Sequence, residues 1–228
     1  NGVALFSPQD VFMTHDGGKT WKLPSRPAVF NAGIFEAFDK NSIWVNGGVT
    51  TGFTSDSGDS WTRLPDYGSQ FPIGHYLSFV SQREGWFGVC GGGTTPVLSR
   101  TEDGGQIWIA VNAPKKAEKL MWNMNFISMR TGFILFFEGK IWRTDNAGES
   151  WLKMGNLPRG KRMFPSRSYG VTNSAIRFTD SDNGTIIVHF DKPRGFAAFT
   201  TNDGGKTWKE SDLPAEVREL DGAVYLSR

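Results

Sequence analysis

One eight-residue pattern, Ser/Thr-x-Asp-x-Gly-x-Thr/Ser-Trp, occurs five times in this chain of 228 residues, and that repetition constrains the fold more than any other feature. The copies are Thr14–Trp21 (THDGGKTW), Thr54–Trp61 (TSDSGDSW), Thr101–Trp108 (TEDGGQIW), Thr144–Trp151 (TDNAGESW) and Thr201–Trp208 (TNDGGKTW). Their tryptophans are 40, 47, 43 and 57 residues apart. Self-similarity at such a period predicts a propeller or an array of sheets, since each unit is one supersecondary motif that buries its apolar face only against a neighbour.

The chemistry of each copy is that of a turn. The third-position acid (Asp16, Asp56, Asp103, Asp203, with Asn146 in the fourth copy) can accept hydrogen bonds from nearby backbone N–H groups and close the chain on itself. Glycine at the fifth position tolerates positive φ. The seventh-position hydroxyl can add another local bond, and Ile107 replaces it in the third copy. The tryptophans Trp21, Trp61, Trp108, Trp151 and Trp208 start the next strand and offer large apolar faces for packing between units. A structural role is therefore expected for all ten of these acid, amide and indole side chains.

The pattern resembles the Asp-box, or BNR, repeat found in sialidases and in several non-catalytic propellers. The wider frame resembles the photosystem II assembly and stability factor family and its relatives in non-photosynthetic bacteria. Phe79–Trp108 carries that resemblance best, and similar frames recur at Phe126–Trp151 and Phe178–Trp208. It implies a β-propeller that assembles with a protein partner. The family usually has more blades than this chain can supply, and Asp boxes are turns shared by unrelated functions.

Spacing and turn signals predict an all-β, five-bladed propeller of four-stranded antiparallel blades in one domain, residues 1–228. The tail, Ala223–Arg228 (AVYLSR), followed by Asn1–Ser7 (NGVALFS) reads like Asn125–Phe137 (NFISMRTGFILFF). This predicts a first blade made of 218–228 plus 1–24, closed by pairing of the C-terminal strand with the N-terminal sheet. The other blades are expected at 28–65, 75–112, 121–158 and 173–214.

In a four-stranded meander the five turns share one rim, so a ligand is expected on the opposite rim or in the channel mouth. Inner strands line that channel, and their alternation places Glu36, Ser78, Asn125, Arg177 and Val224 at one level, with Tyr76 and Asn123 in the level above. Glu36 and Arg177 form either a charge pair or a ligand-contacting pair. His75 and Tyr76 open an inner strand at the mouth. The longest connection, Gly155–Ser174, concentrates Arg159, Lys161, Arg162 and Arg167 with Phe164 and Tyr169. Lys115, Lys116 and Lys119 lie on the preceding connection. Net charge is only +2, so this is a local positive field suited to an acidic segment of a protein. Trp122, Tyr67 and Phe71 offer stacking faces for a glycan.

Other classes find little support. A sialidase needs an arginine cluster, a tyrosine–glutamate pair and an aspartate acid; the Arg63-Leu64-Pro65 triplet instead belongs to this chain's own Leu-Pro repeat. The paired carboxylates of other glycosidases are scattered. The three histidines lack ligand spacing, so no metal or cofactor is expected. Gly91-Gly92-Gly93 lacks the lysine of a phosphate loop. No recognition motif accompanies the basic residues, so nucleic acid is not expected. No apolar run reaches the length of a membrane helix. With one cysteine, Cys90, no internal disulfide can form. Export after removal of a leader is what the Asp-box resemblance implies. The expected function is a non-catalytic binding or assembly module for a protein partner, with a carbohydrate-binding propeller or a small sialidase-like glycosidase as alternatives.

Overall fold

The computed structural model describes residues 2–7, 10–22, 34–39, 41–47, 50–65, 75–89, 97–114, 121–136, 139–158, 174–191, 194–211 and 213. Eighteen strands run in chain order through them. β1 (Gly2–Ser7) and β2 (Asp10–Thr14) form a two-stranded antiparallel sheet. Four four-stranded meanders follow. They are β3 (Ile34–Ala37), β4 (Ile43–Gly47), β5 (Thr50–Thr54) and β6 (Thr62–Arg63); β7 (His75–Phe79), β8 (Gly85–Val89), β9 (Val97–Thr101) and β10 (Ile109–Val111); β11 (Met121–Phe126), β12 (Gly132–Phe136), β13 (Lys140–Thr144) and β14 (Leu152–Asn156); and β15 (Ser174–Phe178), β16 (Gly184–Asp191), β17 (Arg194–Thr201) and β18 (Lys209–Ser211). Among the described residues, no helix is long and apolar enough to cross a membrane.

Five four-stranded sheets were expected, and the described residues hold four. Among the described residues the N-terminal sheet has two strands, and beyond its turn an isolated bridge, Met13 to Lys22, continues the ladder. The tail segment that was to complete this sheet, 223–228, lies outside the described residues.

The sheets grade from buried to exposed. β8 (GWFGV) and β12 (GFILF) are buried along their whole length, as a short continuous apolar run bounded by turns predicts. The last strands are two to five residues long and largely exposed. The described residues form two compact units, one built on Asn1–Phe87 and Ser99–Ile109, the other on Gly88–Leu98 and the described part of Ala110–Leu226.

Within each unit an aromatic relay joins successive sheets. In the first, Phe79 at the end of β7 stacks on Trp44 of β4, with centroids 3.6 Å apart and planes at 8°. In the second, Phe178 at the end of β15 stacks on Phe133 of β12 at 3.4 Å and 2°. Each of these phenylalanines also meets its own repeat's tryptophan edge-on: Phe79 with Trp108 at 6.1 Å, Phe178 with Trp208 at 5.9 Å. Phe126 meets Trp151 in the same way at 6.4 Å. Offset stacks and edge contacts are the favoured geometries of aromatic quadrupoles. The phenylalanine in turn lies over the glycine that opens the second strand. A Cβ at Gly132 would come within 2.2 Å of the Phe126 ring, and one at Gly184 within 2.7 Å of Phe178. The core of the second unit gathers around this pair, with Leu135, Ile141, Ile186, Val188 and Phe199 all fully buried.

Candidate binding site

The five turns form one constellation with small variations. In the second, the buried Thr54 hydroxyl accepts the Gly58 N–H at 2.9 Å and donates to Asp56 Oδ1 at 2.7 Å. Asp56 then accepts the Ser60 N–H at 2.9 Å and the Ser60 hydroxyl. Thr14 and Asp16 repeat this with Gly18 and Thr20, and Thr201 and Asp203 with Gly205 and Thr207. Asn146 preserves the turn: its Oδ1 accepts the Ser150 N–H at 3.0 Å, while its Nδ2 donates to the Ser150 hydroxyl at 2.9 Å. Three of the tryptophans return an indole N–H to a carbonyl of their own turn, Trp21 to Gly18, Trp108 to Gly105 and Trp208 to Gly205. Trp151 reaches Asn112 instead.

These bonds favour the charged carboxylate. The Thr20 hydroxyl and N–H, with Thr14, hold Asp16 at about 2, and the Ser60 hydroxyl and N–H, with Thr54, hold Asp56 at about 2. Thr207, through the same two groups, holds Asp203 well below the usual carboxylate range. Burial pushes Asp103 up, but the Ile107 N–H, the Thr101 hydroxyl and the Gln106 N–H bring it below its ordinary value. Asp16, Asp56 and Asp203 each accept three bonds from the hydroxyls and N–H groups of their own turn, and Asp103 accepts three on Oδ1 alone.

Two features of the turns escape a reading of the pattern alone. The fourth position also has positive φ, and twice it is not glycine: Ser57 at 62° and Ala147 at 58°. Its N–H docks onto the carbonyl of the turn between first and second strands, Ser57 to Asn41, Gly104 to Arg83, Ala147 to Arg130 and Gly204 to Asp182. The repeated Phe and Gly six residues apart, at 79/85, 126/132 and 178/184, was the sequence signal for the aromatic relay.

The other predicted site residues divide sharply. Arg159, Lys161, Arg162, Arg167 and Tyr169 lie outside the described residues, as do Lys115, Lys116, Lys119, Tyr67, Phe71 and Cys90. His75 opens β7, and Tyr76 beside it is buried. Glu36, on β3 opposite Trp44, is half-buried in the first unit; Arg177, on β15 opposite Thr185, is half-buried in the second. Asn125 is buried and serves the fold: its Oδ1 accepts the Phe178 N–H at 2.7 Å, tying β11 to β15. Trp122 sits in a β-bulge, since Met121 pairs with Phe136 and Asn123 with Leu135, and it is half-buried against the second unit's core. A bulge re-aims a side chain relative to its ladder. Arg143 is pinned by Asp145 through a bidentate pair, donates to the Ser181 carbonyl at 2.8 Å and lies 5.4 Å from the Phe133 ring. Among the described residues, no group of His, Cys, Asp and Glu is arranged to hold a metal ion. A shallow depression of about 570 Å³ in the first unit is lined by Phe38, Gln82, Arg83, Glu84 and Glu102, with Ser81.

Comparison with solved structures finds this fold in YCF48 bound to a D1 peptide, over 94% of this chain and 58% of that one, with a TM-score of 0.55 at 18% identity. The GH74 enzyme of Niastella koreensis matches 93% of this chain and 30% of its own, with a TM-score of 0.54 at 17% identity. The GH74 xyloglucanase of Xanthomonas campestris matches 91% and 42%, with a TM-score of 0.51 at 11% identity. No family model matches the chain, and no curated protein does. The likeness shows an all-β, propeller-type fold. The chain spans 58% of the YCF48 chain and less than half of either GH74 enzyme.

Proposed function

We propose that this chain is a non-catalytic binding or assembly module that engages a protein partner, with its five turns as Asp boxes of the BNR type serving structure alone. The supporting observation is the likeness, over 94% of the chain, to YCF48 in a form bound to a D1 peptide. The frame at Phe79–Trp108 that resembles the photosystem assembly factors agrees with it. The carboxylates of the turns, committed to their own hydroxyls and N–H groups, agree with a non-catalytic role. On this reading the partner presents an acidic segment, taken at the channel mouth and by Arg159, Lys161, Arg162 and Arg167, and the protein works outside the cytoplasm.

Fluorescence anisotropy against labelled acidic, neutral and basic peptides tests the reading. The acidic peptide should bind tightest and weaken as salt rises, because exposed charges are screened. Reversing Arg159, Lys161 and Arg162 to Glu should remove that preference at unchanged thermal stability. Equal affinity of the reversed variant for the acidic peptide would remove the basic segment from the account.

The likeness to two GH74 propellers supports a second reading, a carbohydrate-binding propeller in which Trp122 stacks on a sugar. Retardation by xyloglucan in affinity electrophoresis, lost in Trp122→Ala, would support it; release of reducing ends would favour a glycosidase.

A further inference from the structure

The third turn breaks the pattern of the other four at its seventh position. Ile107 stands where Thr20, Ser60, Ser150 and Thr207 each bond the third residue of their turn through a hydroxyl. Asp103 still accepts the Gln106 and Ile107 N–H groups at 2.9 Å, so the turn survives, but the isoleucine side chain is 66% exposed. Two residues on, at the start of β10, Ile109 is 52% exposed. The equivalent residues after the other tryptophans are Lys22, Thr62, Leu152 and Lys209.

Ile109 begins β10, which ends its sheet. An edge strand presents backbone N–H and C=O groups outward, and proteins ordinarily blunt such an edge with charge. The other described last strands follow that rule: β6 carries Arg63, β14 Lys153, and β18 Lys209 and Glu210. β10 is Ile-Ala-Val and carries none. A hydroxyl has been lost and the edge left uncharged at the same place.

We propose that β10 is a strand-addition site that takes an extended, uncharged segment of a partner protein, with β-branched residues at alternate positions. This rests on the protein-binding reading above and gives it a second contact. The chemistry fits that occupant because backbone pairing supplies affinity at an edge while alternate side chains supply specificity. A three-residue strand with one exposed isoleucine, Ile109, and Ile107 in the turn before it falls well short of the roughly 1,000 Å² that a stable association of two copies needs. A second copy is therefore the poorer occupant, and a peptide strand, which needs less area, the better one.

The test is an ¹⁵N-NMR titration with a capped heptapeptide alternating threonine and valine, and with the same peptide N-methylated at alternate residues. The unmodified peptide should shift amides at 107–111 with a Kd of about 1 mM or tighter. Methylation should abolish binding, because it removes the donors of one edge. Ile109→Lys should weaken binding by about ten-fold or more at an unchanged thermal midpoint, and Ile107→Thr should weaken it less. Absence of shifts up to the peptide's solubility limit, shifts centred elsewhere, or equal affinity of Ile109→Lys would overturn the proposal. Concentration-dependent self-association lost in Ile109→Lys would also overturn it, making the occupant a second copy. If acidic peptides bind and the heptapeptide does not, only this inference falls; if neither binds, the protein-partner reading falls with it.

Discussion

The first and fifth turns differ by one residue in eight, THDGGKTW against TNDGGKTW, yet their tryptophans have opposite fates. Both turns make the same internal bonds, from the pivot threonine to the returned indole N–H. Trp208 is nonetheless 7% exposed and Trp21 43%. The difference lies around the turn. Trp208 meets Phe178 edge-on, Phe178 stacks on Phe133 of the preceding sheet, and the whole set belongs to the second unit's core. Trp21 follows a two-stranded sheet, and no aromatic partner of it is found among the described residues. The octapeptide specifies a turn; burial of its tryptophan is specified by a phenylalanine and a glycine elsewhere in the repeat.

The largest expected effect follows directly. Trp208→Ala should destabilise the protein by about 3–5 kcal/mol, the usual range for a buried large aromatic. Trp21→Ala should cost less than about 1 kcal/mol, because much of its surface is already in water. Urea denaturation of both variants measures the two values on one scale. Comparable losses would mean that the indole acts through the turn itself, and the comparison would fail.

Gly155 gives a second, smaller way to break it. Its N–H donates to the Gly205 carbonyl at 2.9 Å, and a Cβ there would meet the Lys206 carbonyl oxygen at 2.1 Å. β14 thus docks backbone to backbone on the fifth turn. Gly155→Ala must push the two apart and should cost about 1–3 kcal/mol, as overpacking does. Hydrogen exchange should speed up at the fifth turn and not at the first. Equal acceleration at both would show that the fifth turn does not depend on this docking.

The same contrast explains what could be read from the sequence. The turns were legible because their determinants are local: an acid, a hydroxyl and a glycine within eight residues. The second strands were legible too, since GWFGV and GFILF are short apolar runs between turn signals. Partners distant in sequence were harder. That Ala147 donates to Arg130, or that Asn125 bonds a neighbouring strand, depends on where other segments pass. The count of five four-stranded blades failed for the same reason. It joined two chain ends by length and likeness, and neither reports on pairing between distant segments. Of the candidate site, Glu36, Tyr76 and Arg177 could be placed on first strands by alternation, whereas the bulge that carries Trp122 has no local signature.

Acid sharpens the comparison within the turns. Asp16 and Asp56 titrate at about 2 when folded, and Asp203 lower still. An unfolded aspartate titrates near about 4. Below that value the unfolded chain binds protons that the native turn refuses, so stability falls as pH drops from about 4 towards 2. Above about 4 the contribution is complete. Asp56→Asn should lower stability at neutral pH and flatten the decline, since the Asn146 turn shows that an amide can close the loop without titrating. Urea midpoints of wild type and variant between pH 5 and pH 2 measure the difference; parallel curves would remove Asp56 from the acid response.

The smallest effect is the most discriminating. His15→Asn makes the first octapeptide identical to the fifth, and both positions are exposed. If surroundings decide the fate of the tryptophan, the substitution should change stability by no more than about 0.5 kcal/mol. The Trp21 indole resonance should keep its shift and its hydrogen-exchange rate. Slowed exchange at Trp21 would mean that one side chain in the turn governs burial, and the phenylalanine relay would lose its place as the cause.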